Sequence, residues 1–133
     1  MNLSEDSYGG VKDSGDRRTF ATGSVRDVRS GKGRYDLVSP IGLRRLAKHY
    51  ENGSAKYGER NWEKGQPIAS FIDSMIRHGI DYLSGDRSED HLAAVAWNAF
   101  SAMHMEEMIR LRKMPQEFAD MPPAIEDLPN AGQ

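Results

Sequence analysis

A chain of 133 residues with hydrophobic content 38% has room for one small domain, and the absence of cysteine excludes a disulfide scaffold or a thiolate metal site. No stretch approaches the roughly 18 apolar residues a membrane span needs, and the N-terminal MNLSEDSYGGVKDSGDRR carries charges and glycines where a signal peptide needs an apolar run. These features predict a cytoplasmic protein. With Lys+Arg 18 against Asp+Glu 20 and a formal net charge of -2, there is no general positive field for duplex binding, so an anionic partner must be met locally.

Residues 1–37 hold six of the 13 glycines and seven of the 18 basic residues, with only scattered apolar side chains such as Phe20, Val25 and Val28. Alone, such a segment cannot bury enough apolar surface to offset its ordering entropy, so it is expected to form an extended N-terminal arm. Within it GKGRYD offers Lys32 and Arg34 to close over phosphates, although the string lacks the GxxxxGK[ST] pattern of a phosphate loop. The body, 38–113, must supply the core. Ser39 caps a first helix with Pro40 at its first position, and Ile41, Leu43, Leu46, Ala47 and Tyr50 line one side up to a stop at Asn52-Gly53. KYGERNWEKGQP, with two glycines and a final proline, predicts a turn-rich connection with a short helical turn, anchored by Trp62.

A second helix follows from Ile68, Phe71, Ile72, Met75, Ile76, Gly79, Ile80 and Leu83, whose three-four spacing predicts a single buried stripe ending near Gly85. Ser88 is placed to cap a third helix, with Glu89 and Asp90 in its first turn, where carboxylates favour the positive end of the dipole. This helix runs to about Lys113 and is apolar nearly all round, which predicts burial on more than one side. The final segment, 114–133, has four acidic residues, no basic ones and four of the six prolines, and reads as an extended tail laid over a neighbouring surface. No sustained alternation predicts a strand. The expected fold is an all-α helical bundle with N- and C-terminal arms, and its modest core predicts completion by a dimer or tetramer.

A loop of about five residues joins helices two and three, so they must pack antiparallel, and this decides which polar side chains can meet. Asp81 then lies near Asp90 and His91, with His78 one turn further from the loop and Asn98 on a stripe of small and polar residues along helix three. Taken singly, each has a structural account: Asp73, Arg77 and Asp81 as a solvated ion-paired face, the histidines as partly buried, Asn98 as the partner of a buried carbonyl. Taken together, oxygen and imidazole groups on adjacent helices suit a site for Mg²⁺ or Mn²⁺, with Arg77 and Lys56 balancing phosphate charge. Glu51 is either a ligand or base of that pocket or a surface charge. The cations, Asn61 and aromatics of KYGERNW suit an anionic, planar ligand.

The linked elements KYG-x-RNW, the RH pair and DHLAA-x-AWN, set in GSVRDVRSGKGRYDLVSPIGLRRLAKHYENGSAKYGERNWEKG and DSMIRHGIDYLSGDRSEDHLAAVAWN, resemble a known family. It is the phage dATP/dGTP diphosphohydrolase (MazZ-like) family, a branch of the all-α, MazG-like nucleoside triphosphate pyrophosphohydrolases. The resemblance spans roughly residues 20 to 112. It implies hydrolysis of a purine deoxynucleoside triphosphate between its α and β phosphates with Mg²⁺ or Mn²⁺. It also implies a role in shaping the nucleotide pool of an infected host cell, including a supply of dGMP for 2-aminoadenine DNA.

By motif position the resemblance carries substrate contacts onto Lys56, Arg60, Asn61, Trp62, Arg77, His91 and Asn98. The ExxE and ExxD pairs of the wider MazG-like pattern do not stand in their expected places. His78 and Asp81 in HxxD spacing, then Asp90, are the substitutes as catalytic and metal-binding residues, with Glu51 next. Two other classes compete: a non-catalytic helical module that senses nucleotide or binds a protein, and a nucleic-acid accessory protein using Arg17, Arg18, Arg26, Arg29, Lys32 and Arg34. The six acidic residues of the same arm argue against the latter.

Overall fold

The computed structural model describes residues 12–127; the portions of the two arms at 1–11 and 128–133 lie outside the described residues. The chain divides into two units, 1–38 and 39–133.

The first unit contains strands that the sequence did not predict. β1 (Arg17–Thr19) pairs antiparallel with β2 (Val25–Asp27), Arg17 opposite Asp27 and Thr19 opposite Val25. Three residues are too few to show a period of two, which is why alternation could not reveal them. The turn closes through Phe20 N to Ser24 O at 2.8 Å and Gly23 N to Phe20 O at 2.9 Å, with Gly23 at φ +87. Asp27 organises the unit: it accepts hydrogen bonds from the Ser14 amide and hydroxyl and from Lys32 Nζ at 2.9 Å.

The second unit is a helical bundle of α1 (Pro40–Tyr57), α2 (Ile68–Leu83) and α3 (His91–Arg110), so the described body is all-α as expected. Ser39 Oγ accepts from Gly42 N at 3.1 Å and Pro40 takes the first helical position. The expected stop at Asn52-Gly53 is overrun, because one interior glycine costs only about 1 kcal/mol relative to alanine. Gly58, at φ +89, ends the helix instead. The connection forms one short 3-10 turn, Asn61–Lys64. Ser88 does not cap α3: its hydroxyl and amide donate to Asp86 Oδ1, and Asp90 is the cap, accepting from Ala93 N at 3.1 Å.

The core lies where α2 and α3 meet far from their connecting loop. Ile68, Phe71, Ala102, Met105 and Ile109 are buried there, and Ile72, Trp97, Met114 and Phe118 pack against them. The last two belong to the acidic tail, which folds back over the bundle. Gln116 Nε2 donates to Ile109 O at 2.8 Å, and Asp120 Oδ1 accepts from Ala69 N at 2.9 Å, supplying the cap that Pro67 cannot. Gly65 makes room for the tail, since a Cβ there would stand 2.6 Å from Met114 Sδ.

The single buried stripe of helix two is corrected. Its first turns are buried, but Ile76, Ile80 and Leu83 are 53%, 56% and 86% exposed, because at 3.6 residues per turn they lie on a different side of α2 from Phe71 and His78. On α3 the same holds for Leu92, Phe100 and Met103, which face outward in the single chain.

Candidate functional site: a groove ending in a histidine pair

The second half of α1, the Asn61–Lys64 turn and the facing sides of α2 and α3 enclose an open groove of about 1120 Å³. Its floor is aromatic. Trp97 lies 5.9 Å from His49, 6.3 Å from Tyr50 and 6.1 Å from Phe71, centroid to centroid. Trp62 stands edge-on to Tyr50 at 6.1 Å and to His104 at 5.0 Å, which is how it anchors the connection. Burial pushes the Tyr50 phenol up and the His49 imidazole down, the latter also disfavoured by its neighbour His78. An uncharged His49 leaves this floor apolar, while the rim carries Lys56, Arg60 and Arg77.

At the loop end of the groove the antiparallel α2 and α3 bring His78 and His91 together, Nδ1 to Nδ1 at 2.9 Å. Glu89 Oε1 closes on the pair, 3.2 Å from His78 Nδ1 and 3.6 Å from His91 Nδ1. One ligand atom from each of the three lies within 4.8 Å of the others. A second triad, Asp81, Asp86 and His91, meets the same criterion, with His91 Nε2 3.5 Å from Asp86 Oδ2. The Ser88 hydroxyl and amide hold the Asp86 carboxyl down at about 2, so it is ionised at neutral pH.

Among the residues expected from sequence, Glu51, Lys56, Arg60, Asn61 and Trp62 line the groove from its α1 side. Arg77, His78, Asp90 and Asn98 line it from α2 and α3. Lys32 and Arg34 belong to the first unit, where they pair with Asp27 and Asp36 at 2.9 and 2.8 Å. Arg77 also bonds Asp73 at 3.1 Å, Arg60 pairs with Glu63, and Glu51 sits exposed 3.4 Å from Lys48. The expected ligand set of Glu51, His78, Asp81 and Asp90 does not form one cluster in the described residues: His78 and Asp81 fall in different triads, and Glu51 and Asp90 in neither.

Asp90 is engaged twice, as the α3 cap and in a paired contact with Arg45, whose Nε and Nη2 donate at 2.9 and 2.6 Å. The Arg45 guanidinium holds its carboxyl below the usual range. Asn98, 3% exposed, donates to Ala94 O at 2.9 Å and to Ser74 Oγ at 3.3 Å, so its amide braces α3 against α2.

Glu89, Asp86 and Arg45 were missed. Glu89 reads as a dipole-stabilising first-turn acid; its place two residues before a histidine, on a tight loop, was the available signal. Nothing local marks Arg45, whose partner lies 45 positions away.

This all-α groove is apolar within, cationic at its rim and rich in imidazole and carboxylate at one end, a lining that suits an anionic, planar ligand. A family model described as dATP/dGTP diphosphohydrolase, N-terminal, matches residues 22–113, from the hairpin turn to just past α3. The chain belongs to that family of nucleoside triphosphate pyrophosphohydrolases. No curated protein and no solved structure matches it. Among the described residues no helix is long and apolar enough to cross a membrane.

Proposed function

We propose that this chain hydrolyses purine deoxynucleoside triphosphates, dGTP or dATP, to the monophosphate and pyrophosphate in the α1–α2–α3 groove. The observation that carries the reading is the convergence, inside the matched segment, of an aromatic floor, a cationic rim and the His78–Glu89–His91 cluster. The donors fit Mn²⁺ ahead of Mg²⁺, because imidazole is softer than Mg²⁺ prefers, and triphosphate oxygens can complete either shell. Glu89 and His78 would hold the ion, with His91 packed behind them. When bound, the ion supplies Lewis-acid neutralisation of the triphosphate.

The protein's own groups do the rest. The base lies against Trp62 or Trp97, where an aromatic face contributes without selecting one purine. Lys56, Arg60 and Arg77 meet the β and γ phosphates and stabilise the charge that grows on leaving pyrophosphate. Glu51, on the α1 wall, orients a water toward the α phosphorus and takes its proton. The new P–O bond forms as the bond to the αβ-bridging oxygen breaks, and pyrophosphate departs with that electron pair. Asp90 acts through Arg45 and the α3 cap as a positioning residue, and Asn98 keeps the two site helices in register.

A second copy covering Ile76, Ile80, Leu83 and Phe100 would complete a dimer or tetramer, removing exposed apolar surface from water. The proposed setting is a phage nucleotide pool, with dGMP feeding 2-aminoadenine DNA synthesis.

The test is incubation with the four deoxynucleoside triphosphates and their ribose counterparts, with Mg²⁺, with Mn²⁺ and with chelator. Monophosphate and pyrophosphate from purine deoxynucleotides, lost on chelation, is the expected result. Saturable nucleotide binding without product would instead make the protein a helical sensing module.

A further inference from the structure

We propose that Asp81, Asp86 and His91 form a second divalent-cation site, separate from the groove and selective for a borderline ion of the Zn²⁺ class, which clasps the loop between α2 and α3. The three residues come from three places: the last turn of α2, the connecting loop and the first residue of α3. One ligand atom from each lies within 4.8 Å of the other two.

The orphaned nitrogen of His91 separates this cluster from an ordinary group of surface acids. His91 is 3% exposed, and its Nε2 is buried without a hydrogen-bond partner, facing Asp86 Oδ2 across 3.5 Å. A buried imidazole nitrogen left unpaired is costly, and a cation between it and two carboxylates removes that cost. The other ring nitrogen is already engaged, 2.9 Å from His78 Nδ1 and 3.6 Å from Glu89 Oε1. A proton on Nδ1, on the side of the Glu89 carboxylate, leaves the Nε2 lone pair for a metal, which is how a second partner fixes the tautomer of a ligating histidine.

Asp86 is similarly divided. Its Oδ1 is occupied by the Ser88 amide and hydroxyl at 2.8 and 2.6 Å, so the loop presents Oδ2 toward His91. Two carboxylates and an imidazole make three protein ligands with room for water, a set suited to Zn²⁺ and, more weakly, Mn²⁺, and poor for Ca²⁺.

An ion there does two things. It ties the end of α2 to the start of α3 across a loop whose residues are otherwise exposed. It also locks the His91 tautomer, which fixes what His91 presents to His78 and Glu89 at the end of the groove.

The experiment uses the full chain, stripped with chelator and titrated with Zn²⁺ alone, read by calorimetry, by thermal denaturation and by the ¹⁵N shift of His91 Nε2. Wild type and Glu89→Gln are expected to share one Zn²⁺ site of the same affinity, to gain thermal stability on filling it, and to shift Nε2. Asp86→Asn, which keeps an acceptor for Ser88, and Asp81→Asn, on an exposed position, are each expected to bind at least tenfold more weakly. Undiminished affinity in both aspartate variants overturns the site. So does binding lost in Glu89→Gln but kept in Asp86→Asn, which would place the ion in the groove, and so does a wild type that binds no Zn²⁺.

Discussion

The same two antiparallel helices build two unlike ends. Away from the loop, α2 and α3 bury Phe71, Met105 and Ile109 and receive Met114 and Phe118 from the tail. At the loop, the side of α2 that supplied Phe71 continues to His78, which meets His91, while Ile76, Ile80 and Leu83 stand outside on another side. The difference is what α3 presents to α2 at each end. Large apolar residues on α3 close the dry end. Ala94, Asn98 and His91 set small and polar groups, themselves buried, at the other, so one end supplies stability and the other holds charge.

The largest effect belongs to the dry end. Phe71→Ala should cost about 3–5 kcal/mol, read from the shift of a urea midpoint, because a fully buried ring leaves a cavity that neighbours fill only in part. At the loop end a substitution should leave the fold alone and remove turnover. Glu89→Gln is expected to lower kcat by more than the roughly 100-fold seen on losing an outer-shell partner of a metal, with an unchanged midpoint. If the two variants exchanged signatures, the division of labour between the ends would be wrong.

Two smaller effects sharpen the contrast. Asp120→Ala removes the tail's cap from α2 and should cost about 1 kcal/mol in thermal unfolding without touching turnover. In the hairpin unit, hydrogen bonds first from Ser14 and then from Lys32 hold the Asp27 carboxyl well below the usual range. Its contribution is present above the unfolded carboxylate value of about 4 and is lost as pH falls through the lower folded value. Backbone amide shifts of Arg26 to Val28 should therefore hold steady through the usual carboxylate range and change only below it. An Asp27→Asn variant should show the disordered shifts at neutral pH.

Much of this was legible in sequence where the signal was local. Ser39-Pro40 marks the start of α1, Trp62 pins the connection, and a short loop sets α2 antiparallel to α3, which brings their polar residues to one end. What escaped depended on contacts far apart in the chain or on competition between neighbours. Gly53 and Gly58 are both plausible stops, and only packing decides between them. Ser88 and Asp90 both suit a cap, and Ser88 loses because Asp86 captures its hydroxyl. Arg45 and Asp90 lie 45 positions apart, beyond any local pattern. The tail's acids look like solvated charge until Asp120 is seen bonding the Ala69 amide.

Nucleotide and catalytic ion are expected to meet at the loop end of the groove. Their meeting there is tested most directly by Mn²⁺-induced broadening of the backbone and side-chain amide spectrum, with a non-hydrolysable α,β-methylene analogue of dGTP bound, in an Asp86→Asn background. Early loss of the His78, Glu89 and Trp62 signals, with Phe118 unaffected, is the expected result. Broadening confined to the hairpin unit or to the tail-covered end of the bundle would contradict it.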